Sequence, residues 1–164
     1  MSPYRYCTPE WLEESAKNYR ATTEFEEKLK KVSWKFCFRV QAEPQWGIDR
    51  DIIFGAFFDA GKLIRIGFFA EEDAVKEGDF LLAAPPQEWK RILRKQGKFT
   101  ADFMGGKIKL EHGDIKKVVM VAPYANTIVD AITRMDLQFP DEMTSEELEA
   151  YRSHVETFRA ELGV

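Results

Sequence analysis

The residues with chemical potential gather in one stretch, FMGGKIKLEHGD, residues 103–114. Gly105-Gly106-Lys107 suggests a loop whose backbone N–H groups grip phosphate. That chemistry has a fixed spacing: a glycine, four residues, then Gly-Lys-Ser/Thr at the start of a helix. Counted back from Gly106, the first glycine falls on Ala101, and the hydroxyl residue that would hold magnesium falls on Ile108. The following residues alternate like a strand, so the stretch does not read as a nucleotide grip. No Gly-x-Gly-x-x-Gly fingerprint occurs either, and no cofactor motif is present.

The other chemistries are equally thin. The histidines, His112 and His154, fall in different elements, and Cys7 and Cys37 are far apart, so a four-ligand zinc site has no donor set. Cys37 sits mid-strand and reads as a buried or half-buried small residue. Ser15, Ser33, Ser145 and Ser153 lack a nucleophile elbow. Asp59 and Asp102 stand beside aromatic runs, where burial could raise a carboxyl pKa into the range of acid–base work. Asp59 is also ordinary turn chemistry before Ala60-Gly61. Lys90, Arg91, Arg94, Lys95 and Lys98 cluster around one helix, which reads as the solvated face opposite Trp89, Ile92 and Leu93. A net charge of −4 over 164 residues argues against nucleic-acid binding, which needs a concentrated basic surface.

Thirteen Phe, five Tyr and four Trp are a heavy aromatic load, suited to a large core or an apolar pocket. The order of elements is α-β-β-β-β-α-β-α-α. Thr8 and Pro9 start a helix over 8–31. Residues 32–40 alternate strictly, with Val32, Trp34, Phe36, Phe38 and Val40 on one face. Residues 51–59 and 62–69 form a hairpin across Ala60-Gly61. The charged stretch 70–78 reads as a loop, and 79–84 as a short strand. Pro86 opens a helix over 87–96, with Gly97 as its stop. Residues 99–105 connect to a strand over 107–111, and helices follow at 115–122 and 124–135. Thr144 and Glu147 form a capping box for a last helix over 144–162. No stretch approaches the roughly 20 apolar residues of a spanning helix. Neither end carries a targeting signal, so a cytoplasmic location is expected.

The segment GDFLLAA…WKRIL…GK…ADFMGGKIKLEHGD, residues 78–114, resembles the sterol carrier protein type 2 domain. That family has a strand, a short helix ending in Gly-Lys, then Ala-Phe-Met-x-Gly-Lys-Leu-x-Ile-x-Gly-Asp and a closing helix. Phe103-Met104, Gly106-Lys107-Ile108 and Gly113-Asp114 match it here. One residue more separates the last glycine from the strand, at Glu111 or His112, which implies a bulge or a longer turn.

The resemblance implies an α+β fold: a mainly antiparallel sheet of about five strands, covered by helices and enclosing an apolar tunnel. It implies one domain over 1–164, with a core at about 30–136 and added helices at 8–31 and 144–162. Its members carry sterols, fatty acids and fatty acyl-CoA and are not catalysts. Trp34, Phe36, Phe38, Phe54, Phe57, Phe68, Phe80, Leu82, Trp89, Phe103, Ile108 and Leu110 would line the tunnel, and Val118 and Ile128 its lid or mouth. The expected partner is a lipid or other hydrophobic small molecule; transient contact with a membrane surface and a homodimer stay open. So do an enzyme or accessory subunit for a small hydrophobic or CoA-linked substrate, and an interaction domain with a closed core.

Overall fold

The computed structural model describes residues 2–164. The chain begins with β1 (Tyr4–Arg5) and α1 (Pro9–Ala21). Thr8 caps α1 by accepting from the Trp11 N–H, and Pro9 occupies the first turn. The expected single helix is broken: Thr22 is extended, and α2 (Thr23–Lys28) restarts the chain. The apolar stripe carries the reason, since Tyr19 and Phe25 are six residues apart, which is off a helical face.

β2 (Lys35–Val40), β3 (Ile52–Asp59) and β4 (Lys62–Phe68) follow. The β3–β4 turn places Ala60 and Gly61 at φ 49° and 83°, the left-handed pair of a two-residue hairpin. Residues 71–77, expected as loop, form α3 (Glu71–Glu77). Glu71, Glu72 and Asp73 sit in its first turn, where negative charge suits the helix dipole. Ala74 is its one buried residue, too little periodicity to read from sequence.

Next come β5 (Phe80–Ala84), α4 (Pro86–Leu93) and α5 (Phe99–Met104). The expected connector is therefore a helix. The residue that turns left-handed after α4 is Lys95, at φ 60°, and not Gly97. Gly97 serves another purpose: a Cβ there would lie 2.7 Å from Asp102 Oδ2 and 2.9 Å from Arg91 Nη2. β6 (Lys109–His112) leads through Gly113 to α6 (Ile115–Val121), capped by the Asp114 carboxylate. Pro123 lies in a 3-10 turn before α7 (Ala125–Ile132). β7 (Leu137–Gln138) pairs in parallel with β1, and α8 (Ser145–Leu162) closes the chain with the Thr144–Glu147 capping box in place.

The main sheet runs β4-β3-β2-β5-β6. Three of its pairings are antiparallel, and β2 with β5 is parallel, so the sheet is mixed. The additional residue in the motif is absorbed as a bulge: Leu81 faces His112 and Leu82 faces Leu110, leaving Glu111 over. Glu111 uses that freedom to accept from Arg39 at 2.7 Å. Arg39 stands on the outer face of the sheet, where Asp51 and Glu71 also hold it, at 3.2 and 2.6 Å.

Both faces of the sheet are covered. The inner face carries Phe36, Val40, Phe54 and Leu82 into the main core, with helices above it. On the outer face, α3 covers a smaller cluster of Cys37, Ile53, Phe57, Phe69, Ala74 and Leu81. Burial pushes the Cys37 thiol up to about 12, so it is a neutral core group. α8 docks through Tyr151, Val155 and Phe158, and the Tyr151 hydroxyl donates to the Tyr6 carbonyl at 2.6 Å.

Candidate ligand cavity

A cavity of about 70 Å³ lies between the inner sheet face and the helices. Its floor is aromatic because β2, β3 and β5 alternate in register. Phe38 faces Phe54 across β2–β3, with ring centroids 5.2 Å apart. Phe36 faces Phe80 across β2–β5 at 5.6 Å, and Leu82 extends the floor. α4 forms one wall with Trp89, Ile92 and Leu93. Trp89 meets Phe38 edge-on at 5.7 Å, and its indole N–H donates to the Arg39 carbonyl at 3.0 Å, which fixes α4 to β2. Phe99 of α5 completes that side. The roof is α6 and α7, through Val118, Val121, Ala125, Ile128, Val129 and Ile132. Tyr6 closes the lining.

Roof and floor are held very differently. The C-terminal end of α7 is pinned, since the Trp11 indole N–H donates to the Ile132 carbonyl at 2.9 Å. Among the described residues, no hydrogen bond or ion pair joins residues 115–129 to anything outside 114–133. Lys117 sits over the Trp34 ring at 5.2 Å, and the rest of the roof is held by apolar contact alone.

Eight residues expected at the site border the cavity: Phe36, Phe38, Phe54, Phe80, Leu82, Trp89, Val118 and Ile128. Six lie elsewhere. Phe57 points to the outer face and stacks on Phe69 at 5.2 Å, because it is odd-numbered in a strand whose even residues face inward. Phe68 packs against Phe158 of α8 at 4.9 Å. Trp34 lies behind Phe80, at 5.7 Å. Phe103 stacks on Phe99 at 5.9 Å, one turn further along α5. Ile108 is buried in the core, and Leu110 is half-buried opposite Leu82. Tyr6, Ile92, Leu93, Phe99, Val121, Ala125, Val129 and Ile132 were not expected at the site. Ile92 and Leu93 were legible as the apolar side of their helix; Tyr6 carried no signal.

Among the described residues, no carboxylate lines the cavity. Asp59 is exposed at the hairpin, where the Ser33 hydroxyl bonds it at 3.4 Å. His154 pairs with Glu10 at 2.6 Å on the surface. The α4 cations are matched locally: Lys90 to Asp141 at 2.8 Å, Arg94 to Glu142 at 2.9 Å and Lys95 to Asp130 at 2.7 Å.

Asp102 is buried between α4 and α5 and faces away from the cavity. Its Oδ2 and the Oε1 of Glu88 are buried without a hydrogen-bond partner, and Arg91 Nη2 is 3.8 Å from Asp102. Burial pushes the Glu88 pKa up. The neighbouring Asp102 carboxyl adds to that, against Arg91 and Lys107. The folded state thus holds a proton that the unfolded state has released. Its contribution is full below the ordinary glutamate range and is lost as pH rises through the raised folded value. Glu88→Gln offers Asp102 an amide donor at every pH. Thermal melts from about pH 4 to pH 8 should show the wild type losing stability relative to this variant as pH rises. Parallel curves would show that the pair holds no proton.

No protein-family model matches this chain, and no curated protein matches it. Solved structures do. A conserved hypothetical protein from Thermus thermophilus, described as a candidate sterol carrier protein, superposes with a TM-score of 0.72 at 16% identity, covering 87% of this chain and 97% of its own. A crystal structure of sterol carrier protein 2 gives 0.64 at 16% identity, over 78% of this chain and 97% of its own. The apo form of sterol carrier protein 2 from Yarrowia lipolytica gives 0.50 at 12% identity, over 73% and 89%. The chain has the sterol carrier protein 2 fold.

Proposed function

We propose that residues 1–164 act as one non-catalytic domain that binds and carries an elongated hydrophobic molecule, of the fatty acid, fatty acyl-CoA or sterol type. The observation that carries this reading is the cavity itself: a nearly all-apolar lining drawn from an aromatic floor on paired strands and a roof whose α6 and first half of α7 have no polar ties to the rest of the chain. Its volume of about 70 Å³ is well below the roughly 300–1,000 Å³ of a ligand site. A ligand must therefore lift the roof, and the roof is the part of the wall free to move. Burial of an acyl chain contributes about 0.8 kcal/mol per methylene before ordering costs. A ligand with one polar end suits Tyr6, whose buried hydroxyl has no hydrogen-bond partner beyond the neighbouring Cys7 thiol. Burial keeps that phenol neutral well past its ordinary range, so it would bond a carboxyl or hydroxyl head.

The experiment is a displacement titration. A fluorescent apolar probe should gain intensity on binding and be displaced by a long-chain fatty acid with a micromolar or tighter midpoint. A flat titration with probe and with fatty acid would remove the carrier reading. The absence of any carboxylate from the lining favours carriage over acid–base catalysis on the same ligand.

A further inference from the structure

α6 is apolar on two sides. Val118 and Val121 turn into the cavity. On the opposite side Ile115, Val119 and Met120 are 57%, 56% and 65% exposed, where a surface helix ordinarily carries polar residues. At 100° per residue, Lys116 lies among these three, and Lys117 lies on the flank toward Trp34. The helix itself carries two lysines and no acid in a chain of net charge −4. Among the described residues, Lys116 and Lys117 have no carboxylate within 4.0 Å. The acids of the same stretch are already engaged: Glu111 with Arg39, Asp102 beside Arg91 and Asp114 as the α6 cap.

We propose that the outer face of α6 docks on a bilayer surface containing anionic lipid. Ile115, Val119 and Met120 enter the boundary between head groups and acyl chains, and Lys116 and Lys117 meet the phosphates. A second copy of this chain fits the face less well. A two-fold contact would bring the same unpaired lysines together, with no free carboxylates to meet them. A bilayer supplies both halves of the complement, an apolar layer and anionic groups above it.

The docked helix is also the cavity roof. Gly113 and the 3-10 turn at Pro123 flank it. Gly113 holds φ 115°, and a Cβ there would lie 2.9 Å from the Phe80 ring. A roof lifted while it faces the bilayer gives a hydrophobic ligand a path that avoids water. That consequence rests on the carrier reading; the docking measurement does not.

The test is flotation of the full chain with vesicles of phosphatidylcholine alone or mixed with phosphatidylglycerol. Wild type should bind the mixed vesicles at least about tenfold more tightly, and added salt should weaken binding. The Val119→Asp/Met120→Asp double variant should lose about tenfold or more, and Lys116→Glu/Lys117→Glu should lose as much. Both pairs are exposed, so circular dichroism and probe displacement in solution should match wild type. Equal binding to both vesicle types, or undiminished binding by both double variants, would overturn the proposal. So would a dimer on size exclusion that Met120→Asp dissociates. Loss of probe binding with vesicle binding intact would instead sink the carrier reading and leave the docking face standing.

Discussion

Phe80→Ala is expected to cost about 3–5 kcal/mol of folding stability. Phe80 is fully buried in β5, the strand that joins the hairpin side of the sheet to the motif-bearing β6. Its ring lies 5.6 Å from Phe36 and 5.7 Å from Trp34. Removing it takes away the transfer energy of a buried aromatic ring and opens a void beside the existing cavity. The void cannot collapse, because β2 and β6 hold the backbone on both sides. The loss should appear in urea unfolding as a lower midpoint with an unchanged slope. A saturating hydrophobic ligand should restore part of it, since binding to the folded state alone stabilises by mass action. A loss below about 1 kcal/mol would mean that the floor is not a packed element.

Leu82→Trp is expected to lower ligand affinity by at least about tenfold while the protein stays folded. Leu82 lies on the cavity floor two residues along β5 from Phe80, at 2% exposure. A bulky group added to the roof could be carried outward when the roof lifts. One added to the floor cannot withdraw, because the strand is paired on both edges. The indole then takes the volume a ligand would fill. Overpacking should cost about 1–3 kcal/mol, and α6 with the start of α7, which have no polar ties to the rest of the chain, can relax to accept it. Tenfold weaker displacement of the apolar probe with a cooperative melt is the expected pair of results. Unchanged affinity would place the ligand elsewhere.

Local signals in the chain carried the elements with end markers. Thr8-Pro9, Ala60-Gly61 and Thr144 with Glu147 each mark a cap or a turn, and each behaves as expected in the structure. The motif over residues 103–114 carried the fold, down to its additional residue, which is the bulge at Glu111. The rest depended on partners far away in sequence. α3 and α5 are short, and the alternation or charge within them says little about which face is covered. The parallel pairing of β2 with β5 left only a faint sign, the uninterrupted apolar run FLLAA of a strand buried on both faces. The β1–β7 pair left none. Phe57 could have been assigned to the outer face by counting from Phe54, had coverage of both faces by helices been known.

The size of the cavity was the least legible property. The aromatic load suggested room to spare, but the rings spend themselves on each other, as Phe36, Phe38, Phe54, Phe80 and Trp89 do. What remains is about 70 Å³. In the proposed carrier the cavity is a closed form, and its capacity would lie in how α6 and the start of α7 are held.

Native mass spectrometry of freshly purified, detergent-free protein tests this most directly, with wild type and Leu82→Trp measured side by side. The expected result is a wild-type population carrying one extra mass of a single hydrophobic molecule, released on collisional activation, together with its loss or marked depletion in the variant. Wild type that flies only as the bare chain, and stays bare after incubation with fatty acids, would contradict the account.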